Sequence, residues 1–257
     1  MPVRLVAAIG LALMAMGRAP GSDPTADPQI KASQVTLETP HASFQATVID
    51  RRDEPARLTV VTAAHGLFPL GEGTRIVVRP VAVGVVLRGT VEAAEPNPGY
   101  KPVQSRDLRA AVRFRGAIGS DNSVLTLRLE LGNDHARQVF GALHTVPVTP
   151  RPVPDRKAVS VLTVHVIDRS GVEHVVRASN SLNPKWLAWG ARYRPRPGDS
   201  GAGVFVVAEA DASQAGPRRM LIGNVVASDE SGGIAALFSQ AEFPALTLPA
   251  RPQKAAR

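Results

Sequence analysis

Two stretches of this chain carry residues that could do chemistry together. The first is Arg196-Pro197-Gly198-Asp199-Ser200-Gly201-Ala202-Gly203, where one serine sits among small residues with an acid directly before it. Such a backbone can turn sharply and present its N–H groups beside the hydroxyl. A serine hydroxyl is a poor nucleophile until a base takes its proton, so a partner is required. The second stretch supplies one. Thr59-Val60-Val61-Thr62-Ala63-Ala64-His65-Gly66 runs from a β-branched strand into a histidine at a small-residue bend. The chemistry implied is acyl transfer, with Ser200 as nucleophile and His65 as general base and then general acid. A third group, a carboxylate, is needed to hold the imidazole in the tautomer whose free nitrogen faces the serine.

Together the two stretches resemble the chymotrypsin-like serine proteases, which carry a T-A-A-H histidine motif and a G-D-S-G serine motif in this order. The resemblance spans about residues 40 to 245 and points to a secreted member of the bacterial type. It implies an all-β fold of two antiparallel six-stranded barrels with the active site between them, and peptide-bond hydrolysis through an acyl-enzyme with no cofactor. The acid it suggests is Asp107, because Asp107-Leu108-Arg109-Ala110 resembles the D-L-A or D-I-A segment where the family's acid enters a strand. Asp121 and Asp134, each in a turn-like context, are the alternatives. The resemblance also assigns the oxyanion hole to the backbone N–H groups of Gly198 and Ser200. It puts Arg194, six residues before the nucleophile, near the base of the substrate pocket, with Val226, Ala227 and Ser228 as the opposite wall. Arg194 pointing inward would repel Lys and Arg and attract acidic side chains; turned away, it would leave a neutral, shallow pocket. Ser228, where the family often has glycine, narrows the entrance and favours small side chains.

The chain departs from the family in two places. Ala202 and Gly203 replace the usual G-P after S-G, and no R-I-V-G-G-like activation site is present. Without a released N-terminus, Asp199 needs another partner. Arg192, Arg194 and Arg196 are near in sequence, which suggests activity without zymogen cleavage.

Short β-branched runs position these residues. Phe44 to Ile49 and Leu58 to Val61 read as a hairpin that delivers His65. Further strands are expected at Arg75 to Val81, Gly84 to Ala93, Leu108 to Phe114 and Val124 to Leu129. In the second half they are expected at Ala158 to Ile167, Glu173 to Ala178, Gly203 to Ala208, Arg219 to Ala227 and Gly233 to Phe238. The proline-rich run Thr149-Pro150-Arg151-Pro152-Val153-Pro154-Asp155 separates the halves. The organisation read from these signals is a signal peptide over 1–17, a linker or short pro-segment over 18–34, and an N-terminal barrel over 35–148. An inter-barrel linker over 149–157, a C-terminal barrel over 158–248 and a basic tail over 249–257 complete it.

Composition excludes several alternatives. At 257 residues, with 44% hydrophobic and 20% charged content, the chain is long enough for a sizeable core and is not a disordered sequence. The net charge of +8 is scattered along the chain without aromatic interleaving, so it reads as a solvated basic surface and nucleic acid is not an expected partner. Cysteine is absent, which removes disulfides, thiolate metal sites and a cysteine nucleophile. His41, His135, His144, His165 and His174 show no metal spacing, and Trp186 and Trp189 read as packing or as cleft lining. Arg4 before the apolar run Leu5 to Met16 fits a signal peptide and is too short to span a bilayer, so a secreted or periplasmic location is expected. The expected partner is a protein or peptide substrate. Two other readings compete: a secreted protease homologue that binds without catalysis, and an envelope β-domain with no cleft.

Overall fold

The computed structural model describes residues 27–67, 70–100, 119–149, 161–180, 185–208, 218–229 and 231–238. In the first half the strands are β1 (Gln34–Glu38), β2 (Ser43–Arg52), β3 (Arg57–Thr62), β4 (Arg75–Pro80), β5 (Leu87–Pro96) and β6 (Ser123–Glu130). They close in the order β1-β2-β3-β6-β5-β4. The second half holds β7 (Val161–Ile167), β8 (Glu173–Ser179), β9 (Trp186–Gly190), β10 (Gly203–Ala208), β11 (Arg218–Asp229) and β12 (Gly232–Leu237). These close as β10-β11-β12-β9-β8-β7. The architecture is therefore two closed antiparallel six-stranded barrels, the chymotrypsin-like double barrel that the two motifs imply.

Alternation along the strands builds each interior. Val35, Leu37, Val48, Leu58, Val60, Ile76, Val78, Leu125 and Leu127 fill the first barrel, and Val164, Val166, Val176, Leu187, Trp189, Val204 and Ile222 fill the second. Small closed barrels need sharply bent strands, and register shifts in β2, β5, β10 and β11 supply the bends. Ile30, Ile49, Val61, Val124, Ile167, Phe205, Leu221 and Phe238, drawn from both halves, form a further apolar cluster that joins the barrels. Trp189 is a barrel-core residue, stacked parallel to Tyr193 and donating from Nε1 to the Tyr193 carbonyl at 3.0 Å. Its role is packing.

Among the described residues two α-helices depart from the all-strand expectation. The first, α1 (Pro28–Ala32), lies in the stretch read as linker, and the Asp27 side chain caps it by accepting from the N–H groups of Gln29 and Ile30. Asp27 also meets the Arg219 guanidinium and donates its own N–H to Glu173 at 2.8 Å, while Ile30 is fully buried. Five residues are too few to show a helical period, so only the Asp-Pro start signalled it. The second, α2 (Asp134–Ala142), is capped by Asn133 and buries Val139 and Phe140 against the first barrel. Asp134 is thus an exposed residue in a helix's first turn, paired with Arg137, and cannot orient a histidine. Among the described residues no helix is long and apolar enough to cross a membrane.

Buried glutamines lock the barrels together beside the serine loop. Gln34 in β1 donates to the Thr47 hydroxyl at 2.9 Å and accepts the Gly203 N–H at 3.1 Å, and Gln45 in β2 donates to the Ile167 carbonyl at 3.3 Å. A buried N–H stripped of its acceptor costs about 1–3 kcal/mol. Gln34→Ala should therefore lower the unfolding free energy by about that amount, read from the midpoint of a urea titration.

Candidate active site

β3 ends at Thr62, and a short 3-10 turn over Ala64–Leu67 carries His65 out of the barrel. β6 pairs antiparallel with β3 in the register Thr62↔Ser123. Continued past the strand ends, that register sets Asp121 opposite Ala64, beside the histidine. The carboxylate grips His65 twice. Asp121 Oδ1 accepts the His65 main-chain N–H at 2.9 Å, and Oδ2 lies 2.7 Å from Nδ1. Because a carboxylate can only accept, Nδ1 carries the proton and Nε2 is left with its lone pair. His65 keeps 40% of its side chain exposed against 12% for Asp121, so the acid is the more covered of the two.

Asp107 lies outside the described residues, and the position at Nδ1 is occupied by Asp121, the first of the two alternatives. Strand register brings Asp121 there: it stands just before β6, the strand paired with β3. Desolvation pulls the His65 pKa down, but the hydrogen bond and the charge of Asp121 outweigh it, and the net shift is upward. The Tyr100 phenol is pushed up to about 12 by burial and by the Asp121 charge, so it stays protonated near the acid. Asn224 adds a hydrogen bond from Nδ2 to the Asp121 carbonyl at 3.3 Å, tying the acid's backbone to β11 of the other barrel.

The serine loop docks on the same strands. The Ser200 carbonyl accepts the Gln45 N–H at 2.8 Å, and the Thr62 hydroxyl donates to the Gln45 carbonyl at 2.6 Å. Gly201 makes this approach possible. It has φ +90°, and a Cβ there would lie 1.9 Å from the Gln45 oxygen, so a side chain would force the loop off the strand. Ser200 and His65 are thus anchored to one strand pair from opposite barrels.

Within the loop, the N–H groups of Asp199, Gly201 and Ala202 are bonded to Arg196, Val225 and Asp199 carbonyls. Those of Gly198 and Ser200 have no partner among the described residues. Two N–H donors left open within one turn have the chemistry of an anion cradle.

Asp199, buried to 1% exposure, accepts the Arg169 N–H at 3.1 Å on one oxygen. Its other oxygen accepts the Arg196 N–H at 2.7 Å and the Tyr193 hydroxyl at 3.3 Å. The expected guanidinium partner is thus replaced by two main-chain amides and a phenol, Arg196 contributing through its backbone. Burial and the charges of Asp199 and Asp168 push the Tyr193 pKa far up, which keeps the phenol a donor. Tyr193 is in turn covered by His174, stacked at 3.9 Å, whose Nε2 lies 2.9 Å from Asp168. His165 and His174 do stand on the two arms of the β7–β8 hairpin, each paired with an acid rather than with each other.

The pocket residues are placed as follows. Arg192, Arg194 and Arg196 are exposed and alternate with buried Tyr193 and Pro195, so Arg194 is not a guanidinium buried at a pocket base. Val226 lies at the β11 register shift and is packed with Ala63 and Ala236, with Ala227 alongside. Ser228 donates its hydroxyl to the Pro195 carbonyl at 2.8 Å, joining the β11 wall to the segment before the nucleophile. Arg169 and Tyr193 carried no sequence signal of involvement. Among the described residues no three His, Asp or Glu side chains gather where a metal ion could be held.

No protein-family model and no curated protein matches the chain. Among solved structures it is similar to the serine protease of a human pathogenic astrovirus, at 16% identity and TM-score 0.45, over 86% of this chain and 96% of that one. It is also similar to the Rv3671c protease in an inactive form, at 13% identity and TM-score 0.44, over 90% of this chain and 100% of that one. A serine-to-alanine mutant of Rv3671c from M. tuberculosis H37Rv gives 13% identity and TM-score 0.43 over 91% and 100% of the two chains. These overlaps are loose, and the chemistry of the present chain rests on its own side chains.

Proposed function

We propose that this protein is a serine endopeptidase in which Ser200, His65 and Asp121 act as nucleophile, base and orienting acid. The observation that carries the reading is the double grip of Asp121 on His65. It leaves Nε2 as the proton acceptor on the strand pair where the serine loop is anchored. In the reaction, Ser200 Oγ attacks the peptide carbonyl carbon as Nε2 takes its proton. The carbonyl oxygen becomes an oxyanion received by the N–H groups of Gly198 and Ser200. His65 then returns the proton to the departing amine, leaving an acyl-enzyme, and a water deprotonated by His65 releases the acid and restores Ser200.

Asp199 is satisfied from within the chain, which supports a site that assembles without a newly cut N-terminus. Exposed Arg192, Arg194 and Arg196 weigh against substrates with Lys or Arg before the scissile bond. Residues 1–17 support export to the periplasm or the medium, and sequencing the N-terminus of exported protein tests it. The chemistry itself is tested with peptidyl phosphonates. A reagent with a small apolar or acidic side chain should label Ser200 stoichiometrically and a lysyl reagent should not. Absence of any labelling, with peptide binding retained, would replace the enzyme by a binding module.

A further inference from the structure

The turn between β7 and β8, Asp168-Arg169-Ser170-Gly171, touches the serine loop at two points. Arg169 donates its main-chain N–H to Asp199 and, from Nη1, donates to the Pro197 carbonyl at 3.2 Å. The Arg169 side chain also packs against Gly198, where a Cβ would be 2.6 Å from Nη1. The turn itself is firmly held. Asp168 Oδ1 accepts from the Ser170 N–H and hydroxyl and from the Val172 N–H, and Oδ2 meets His174.

We infer that Arg169 is a positioning residue that sets the orientation of the Pro197–Gly198 peptide and thereby holds the Gly198 N–H ready for the oxyanion. In a trans peptide the C=O and N–H point in opposite directions, so fixing the oxygen on the Arg169 side aims the N–H to the other side. Gly198 needs such a restraint. It sits at φ +96° with no side chain, and its N–H has no partner among the described residues, so little else opposes rotation of the peptide plane. Rotation would replace a donor by a carbonyl oxygen at the place where negative charge develops. The main-chain bond from Arg169 to Asp199 does not depend on the side chain and is kept in the alanine and lysine variants, which separates the guanidinium's effect from the anchoring of the acid.

The catalytic half of this inference rests on the proposed peptidase activity, and the orientation half does not. The test compares wild type with Arg169→Ala and Arg169→Lys, measuring kcat and KM on a peptide substrate and the residual dipolar coupling of the Gly198 N–H in ¹⁵N-labelled protein. Loss of one oxyanion donor lowers kcat by ~10²–10³-fold, so partial loss through a rotating peptide should lower it about 10- to 100-fold in R169A with KM unchanged. R169K should recover part of the loss, because the ammonium retains a donor. The Gly198 coupling should move in R169A while that of Gly201, bonded to Val225, stays put. An unmoved Gly198 coupling overturns the inference whether or not the wild type hydrolyses peptides. Unaltered kcat in R169A of an active wild type overturns it as well. A wild type without activity whose Gly198 coupling moves in R169A sinks the peptidase reading and leaves the orientation role standing.

Discussion

Replacing Ser200 with alanine should reduce peptide hydrolysis by ~10⁶-fold in kcat and leave the melting temperature unchanged. In the proposed mechanism the hydroxyl oxygen forms the acyl bond, and the flanking residues offer no substitute: Asp199 is buried and bonded on both oxygens, and Gly201 has no side chain. The structural attachments of residue 200 are made by its main chain. Its carbonyl accepts from Gln45 whatever the side chain, so the loop stays docked and Gly201 keeps its bond to Val225. The variant should retain only the slow hydrolysis that binding and the open N–H groups provide, ~10³–10⁴ over water. Steady-state kinetics on a peptide and thermal unfolding of the same preparation decide the matter. Hydrolysis within tenfold of wild type would sink the covalent route.

The two ends of the proposed chemistry are named by the residues themselves, because a serine among glycines and a histidine after a β-branched strand are local signals. Most of the strands were legible for the same reason, although β1 and β9 were not expected and the run at Leu108 to Phe114 lies outside the described residues. The hairpin of β2 and β3 and the boundaries of β10 follow from alternation and turn residues that need no tertiary information. The choice among the candidate acids was not legible, because an aspartate that orients a histidine is defined by which strand lies beside which. The register Thr62↔Ser123 selects Asp121, and no local motif contains that register. Ser120-Asp121-Asn122 reads as a turn, and it is one; what matters is that the turn opens the strand paired with β3. The same holds for Asp199. Arginines near in sequence are the natural guess for its partner, yet the carboxylate is met by Arg169, thirty residues away on another hairpin. The short helix at Pro28 and the helix at Asp134 were missed because five or nine residues give the apolar period too little room.

Substituting asparagine for Asp121 should lower kcat by about 10⁴-fold, the size of effect expected when a triad acid becomes an amide. Two causes act together. The amide can donate to Nδ1, which favours the tautomer with the proton on Nε2, and that tautomer has no lone pair for Ser200. The amide also carries no charge to stabilise the imidazolium that forms as the serine attacks. The pH profile separates this from a general loss of structure. In the wild type the base must be neutral, so activity rises with pH through the His65 pKa, which lies above the ordinary histidine value of 6.5. Both influences that raise it come from Asp121, whereas desolvation lowers it. Removing the carboxylate leaves only the downward influence, so the acid limb of the residual activity should move to lower pH. Asp107→Asn, made in parallel, should leave both kcat and the acid limb near wild type. The reverse pattern, with Asp107→Asn severe and Asp121→Asn mild, would return the orienting role to Asp107 and leave the Asp121 contact with no part in the reaction.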